Sequence, residues 1–192
     1  MFVASRWSGG LVDRIGARTP LVIGAVLAAA GFFGFARTGI GASYWTSFFP
    51  AAVILGLGGA FFVAPLTTTV MDAVHVSQAG IASGINNAVS RAAGLIAIAG
   101  LGLALASTFD AVLQREITHL HVSPPAVAAL ARERNAILSG HVSEKAIPHA
   151  ERARVTTAIR YAYVAGFRTT MLIAAALSLL AAISAWFWEW RA

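Results

Sequence analysis

The chain has no cysteine among its 192 residues, which excludes disulfides, thiol nucleophiles and cysteine-ligated metals. Charge is scarce as well. Asp, Glu, Lys and Arg make up 11% of the sequence, against roughly a quarter in an ordinary soluble domain. Sets of catalytic groups are missing too: there is no HExxH motif, no pair of carboxylates and no Ser/His/Asp arrangement, so no enzyme activity and no catalytic residue is expected. The nearest approach to a metal site is His119 and His121, and residues two apart on a helix do not face one another. No metal and no cofactor are expected. The start also lacks the apolar core of a secretory signal, since Met1–Leu11 carries Arg6 inside it. That stretch reads as the tail of a helix that begins upstream.

What the chain has in abundance is apolar sequence. Hydrophobic residues make up 58% of it, with 18 glycines, and a soluble domain of this size could not hide such runs in one core. The solvent this composition implies is lipid. The net charge of +6 would point to nucleic acid in a soluble protein. Here the basic residues flank apolar runs or sit in one long segment, so bilayer headgroups are the expected partner and nucleic acid is not.

A bilayer core takes roughly 20 apolar residues as a helix, and four stretches qualify. The first is Pro20–Ala36, with Gly24, Ala28 and Gly31 suited to close helix packing. The second is Tyr44–Met71, interrupted by Pro50 and Pro65 and ending in Thr67-Thr68-Thr69. Its prolines remove backbone donors, so neighbouring helices or a cavity must satisfy the freed carbonyls. The third is Ile85–Ala106, preceded by Gly80 and Gly84 at GxxxG spacing and carrying Asn86, Asn87 and Arg91 near its start. The fourth is Thr169–Trp190, closed by the interfacial aromatics Trp186, Trp188 and Trp190. The fold class expected is therefore all-α, a polytopic transmembrane bundle with about four full spans.

Between the last two spans the character changes. Residues 107–166 hold seven of the 14 Lys/Arg and four of the five histidines. Phe109, Val112, Leu113, Ile117 and Leu120 recur at helical spacing, so Phe109–Leu120 is expected to form an amphipathic helix. Ser123-Pro124-Pro125 marks the start of a second short helix through Leu138, and a third runs from about His149 towards Phe167. Such helices lie on a membrane surface or cap a bundle.

The most informative polar stretch is Gly9 to Arg18. Its glycines, Gly9, Gly10 and Gly16, suit a tight connection between two membrane helices. Asp13 caps a helix start or pairs with Arg14 or Arg18, and the arginines hold the loop cytoplasmic. Composition alone makes this a short basic loop. Its pattern, G-x-L-x-D-R-x-G-x-R, resembles the signature loop of the major facilitator superfamily, matched here at Gly9, Leu11, Asp13, Arg14, Gly16 and Arg18. Position 17 is Ala where the first-half copy of that loop usually has a basic residue, as is common in the second-half copy. The run Ala64-Pro65-Leu66-Thr67-Thr68-Thr69-Val70-Met71 and the stretch Ala79 to Arg91 are similar to the late helices of the fourteen-helix drug/proton antiporters.

The resemblance implies a register as well as a fold. The four spans correspond to helices eleven to fourteen of a multidrug efflux protein, of which this chain is a C-terminal fragment. Residues 1–19 are then the end of an upstream span plus the signature loop, 20–106 three transmembrane helices, 107–167 an extracytoplasmic amphipathic loop, and 168–192 the last span and C-terminus. The function implied is proton-coupled efflux of a small amphipathic or cationic compound across a bacterial inner membrane, by a piece that is inactive alone. Pro65, Thr67, Thr68, Asp72, Asn86, Asn87 and Arg91 are the candidates for the pathway or its gate. Arg91 alternatively reaches the cytoplasmic interface or pairs with Asp72. The competing class is a small four-helix membrane protein that binds or regulates a partner through the long amphipathic segment.

Overall fold

The structure, a computed structural model, describes residues 18–72, 74–132, 137 and 149–188. Among these there is no β-strand. Five α-helices follow in order: α1 (Arg18–Ala36), α2 (Phe49–Asp72), α3 (Ala79–His119), α4 (Pro124–Arg132) and α5 (Arg152–Trp188). A wide π turn, Tyr44–Phe48, leads into α2, and a 3-10 turn, Val76–Gln78, leads into α3. Four of these segments, Arg18–Ala36, Tyr44–Val70, Val76–His119 and Arg152–Phe187, are long and apolar enough to cross a membrane. The all-helical, four-span expectation holds.

Contacts divide the described residues into two compact units. The first comprises residues 18–101 and 171–188, the second Gly102–Thr170. In the first unit α1 and α2 form a tight pair, and glycine is what permits it. A Cβ on Gly24 would lie 2.8 Å from the Phe62 nitrogen, and one on Gly58 would lie 2.6 Å from the Ala28 nitrogen. One on Gly31 would fall 2.8 Å from the Leu55 Cβ. In lipid there is no hydrophobic drive between helices, so close packing of small residues supplies the association. The buried alanines Ala25, Ala29, Ala51 and Ala60 extend the same seam.

The second unit has an apolar core of its own. Phe109, Leu113 and Ile117 of α3 meet Leu130 of α4, Ile137, and Val155, Ala158, Ile159 and Ala162 of α5. Phe109 packs edge-on against the Tyr163 ring with centroids 5.0 Å apart. The Tyr163 hydroxyl donates to the Ile137 carbonyl. Ser123 donates through its Oγ (3.0 Å) and its backbone N–H (3.3 Å) to Glu151 Oε2, fastening the start of α4 to the residue before α5. Where α3 and α5 approach most closely, a Cβ on Gly166 would lie 3.0 Å from the Leu105 carbonyl oxygen.

Two helices run on past the expected ends of their spans. The third does not stop near Ala106: α3 runs 41 residues without a break, about 61 Å at 1.5 Å per residue, twice a bilayer core. The amphipathic stretch from Phe109 is its continuation, and its apolar face is spent on the second unit's core. The segment from His149 likewise joins the last span as one 37-residue helix. His121 ends the long α3 with φ 51. The Val122 N–H reaches back to the Ile117 carbonyl and the His121 N–H to that of Thr118, both at 3.3 Å, a left-handed cap of the Schellman kind with histidine where glycine is usual. The HxH pair is thus an exposed helix end and its cap, and no cluster able to hold a metal occurs among the described residues.

Candidate functional site

Polar side chains inside an apolar helix must meet protein or water, because lipid offers them nothing. The Thr67–Thr69 run partly answers to itself. Thr67 Oγ1 donates to the Val63 carbonyl at 3.0 Å and Thr69 Oγ1 to that of Pro65 at 2.9 Å. Thr68 is exposed, with an interaction of its own. Pro65 is buried and α2 passes through it without a break. The two hydroxyl hydrogens therefore hold backbone carbonyls beside the proline, which leaves oxygen lone pairs and not donors for any neighbour. Asp72 is the last residue of α2, and its side chain lies outside the described residues, as do Gly9, Asp13, Arg14 and Gly16.

Arg18, the last residue of the signature stretch, is described. It opens α1, and its guanidinium lies over the Trp186 ring, 3.8 Å from the centroid. Its Nε is buried without a hydrogen-bond partner among the described residues. The stacking joins the beginning of the first span to the end of the last, a contact that 168 residues of separation keep out of any local reading.

A run of polar groups in an otherwise apolar helix lies on α3. From Gly84 to Gly100 every residue except Asn86 is exposed, so this apolar stretch has no packed cover among the described residues. A Cβ on Gly80, Gly84, Gly94 or Gly100 would meet nothing within 4 Å. At 100° per residue Ser83, Asn86, Asn87, Ser90 and Arg91 fall within one face about 140° wide. Ile81, Ile85, Val89 and Ile96 stand opposite. Asn86, Asn87 and Arg91 are candidates from sequence. Ser83 and Ser90 belong with them, and the signal that finds them is the i, i+3, i+4, i+7, i+8 spacing.

The α2 and α3 candidates are not brought into one packed interface among the described residues, because α2 is paired with α1. Arg91 stands about 18 Å of helix rise from Ala79, well along α3 from the connection that follows Asp72. A guanidinium at the middle of a span costs roughly 2.5–3.5 kcal/mol on insertion scales unless it meets water or a partner. This face of five polar residues, three of them exposed, therefore needs a polar neighbour in a bilayer.

Length and apolarity together define an integral membrane protein. Residues 1–113 match the Major Facilitator Superfamily; the chain belongs to that family. Over 198 residues it is 29% identical to the multidrug resistance protein Stp of Mycobacterium tuberculosis, with 97% of this chain and 35% of that protein covered. Over 195 residues it is 27% identical to the tetracenomycin C resistance and export protein of Streptomyces glaucescens, with the same coverage. The chain thus spans about a third of the length of the curated relatives it matches. Bacterial relatives and four apolar helices make it an integral bacterial membrane protein.

Proposed function

We propose that this chain forms the C-terminal part of a proton-driven exporter of small amphipathic or cationic compounds, and that it does not transport by itself. The observation that carries the proposal is the uncovered polar face of α3. A span with Asn87 and Arg91 exposed and Asn86 half-buried is stable in a bilayer when further helices enclose it around an aqueous path. The names of the relatives, one a multidrug resistance protein and one a tetracenomycin C resistance and export protein, support export as the direction. In this reading the signature loop ending at Arg18 faces the cytoplasm, residues 107–167 face outward, and the membrane is the bacterial inner membrane.

Proton coupling is assigned to helices outside this chain. No Asp or Glu occurs between Asp13 and Asp72, between Asp72 and Asp110, or between Glu151 and Glu189. None of the apolar runs 20–36, 44–71, 85–106 and 169–188 therefore carries a carboxylate, and a proton relay through a membrane ordinarily uses one. The test is a complete transporter containing this chain, reconstituted in liposomes under an imposed pH gradient. Dye movement driven by the gradient and collapsed by an uncoupler is the expected result. Dye movement indifferent to the gradient would overturn proton drive.

A further inference from the structure

Resting on that reading of α3 as part of a transport path, we infer that its polar face receives an anionic amphipath: a carboxylate or phenolate carried on an apolar body. The face has one formal charge, the cation Arg91, and no carboxylate occurs anywhere on α3 before Asp110. Guanidinium is a donor-only group with five N–H bonds in a fork that matches a carboxylate, while the flanking amides and hydroxyls add donors around it. Asn87, Ser90 and Arg91 are exposed, and Ser83 and Asn86 half-buried, so the described residues do not enclose them. The donors on the neighbouring α2 do not compete for an anion, since Thr67 and Thr69 give their hydrogens to backbone carbonyls.

The rest of the same face supplies the seat for the apolar body. One and two turns beyond Arg91 it continues with Gly94 and Ala97, small residues that leave room beside the helix. A bound cation would meet Arg91 with no acid in the sequence between Asp72 and Asp110 to offset the repulsion. Of the two substrate classes that sequence leaves open, amphipathic and cationic, this wall favours the amphipath and gives it a negative charge.

The native absence of cysteine makes the test direct. Single substitutions Asn87→Cys and Ser90→Cys on the polar face, and Ile85→Cys and Ile96→Cys opposite, are placed in the complete transporter with its other segments free of cysteine. Membrane-impermeant thiosulfonates of negative and positive charge then report access and local potential. The expected result is labelling of Asn87→Cys and Ser90→Cys but not of Ile85→Cys or Ile96→Cys. The anionic reagent should react about tenfold faster than the cationic one, relative to a free thiol, as expected for focusing by a charge in a narrow low-dielectric path. Arg91→Gln should abolish that preference and Arg91→Lys retain it. An anionic dye should protect Asn87→Cys from labelling where a cationic dye of the same size does not. Labelling of the polar face with no charge preference, or with the opposite one, overturns the anion inference and leaves the path intact. Labelling of Asn87→Cys no faster than that of Ile85→Cys overturns the path itself, and the inference with it.

Discussion

Phe109→Ala is expected to destabilise the second unit by about 3–5 kcal/mol, the usual cost of truncating a fully buried aromatic. Phe109 has no exposed surface, touches the ring of Tyr163, and sits among Leu113, Val155, Ile159 and Ala162. Its neighbours are on helices already fixed by other contacts, so they cannot close over the space. Two effects add: the transfer free energy of the ring is lost, and so are the dispersion contacts of the groups that lined it. The measurement is hydrogen exchange on detergent-solubilised protein. Amides from Phe109 to Arg132 and from Arg152 to Tyr163 should lose protection together, while those of α1 and α2, in the other unit, keep theirs. Val112→Ala, half-buried beside the same core, should cost much less. Equal effects of the two substitutions would mean that the core described here is not what holds the unit.

Gly58→Leu and Gly56→Leu should part company although they lie two residues apart on one helix. Gly58 faces α1, and the atoms that a Cβ would strike are backbone: the Ala28 nitrogen at 2.6 Å and the Gly24 oxygen at 2.8 Å. Backbone inside a helix has no far end to swing aside, so the two helices must separate. Overpacking of a tight seam costs typically 1–3 kcal/mol, and a leucine at a backbone-to-backbone contact belongs at the upper end or beyond. Gly56 has nothing within 4 Å. A leucine there meets lipid, and its effect should stay within about 0.5 kcal/mol. Thermal unfolding in mild detergent separates the cases: a lowered melting temperature for Gly58→Leu, and little change for Gly56→Leu.

The two variants also mark which parts of the fold local sequence could carry. α1 was readable because an apolar run of the right length is closed by Arg18 on one side and Arg37 on the other. Its seam with α2 was half readable: Gly24 and Gly31 announce a small-residue face, but nothing local says that Gly58 is their partner. The ends of α3 and α5 misled for a physical reason. Hydropathy falls at Ser107 and Thr108, and a fall in hydropathy marks the end of a span, not of a helix. Neither proline nor glycine interrupts the chain from Leu103 to His121, and Ser107 Oγ simply bonds back to the Ala104 carbonyl at 3.1 Å. Gly166 admits the Leu105 carbonyl, a close approach that no neighbouring residue announces. Ser123 does begin α4 as its sequence announces, yet its hydroxyl goes to Glu151, 28 residues away. Pairings of that range have no local signature.

The polar face of α3 stands between these cases. Arg91 and the two asparagines are conspicuous in an apolar span, and counting by threes and fours adds Ser83 and Ser90. What the spacing could not show is that the described residues leave this face open. That required the packed positions of α1 and α2, whose small-residue seam pairs them with each other. Sequence therefore nominated the residues, and packing supplied the reason to regard them as a surface that further helices complete.

The central claim, that these spans are one part of a transport path, is tested most directly by efflux of anionic and cationic dyes. Cells expressing this chain alone are compared with cells expressing a complete transporter that contains it. Uncoupler-sensitive efflux of either dye from the complete transporter, and none from the chain alone, is the result this account predicts. Uncoupler-sensitive efflux from the 192 residues alone would contradict it, because a path would then have to form from copies of this chain.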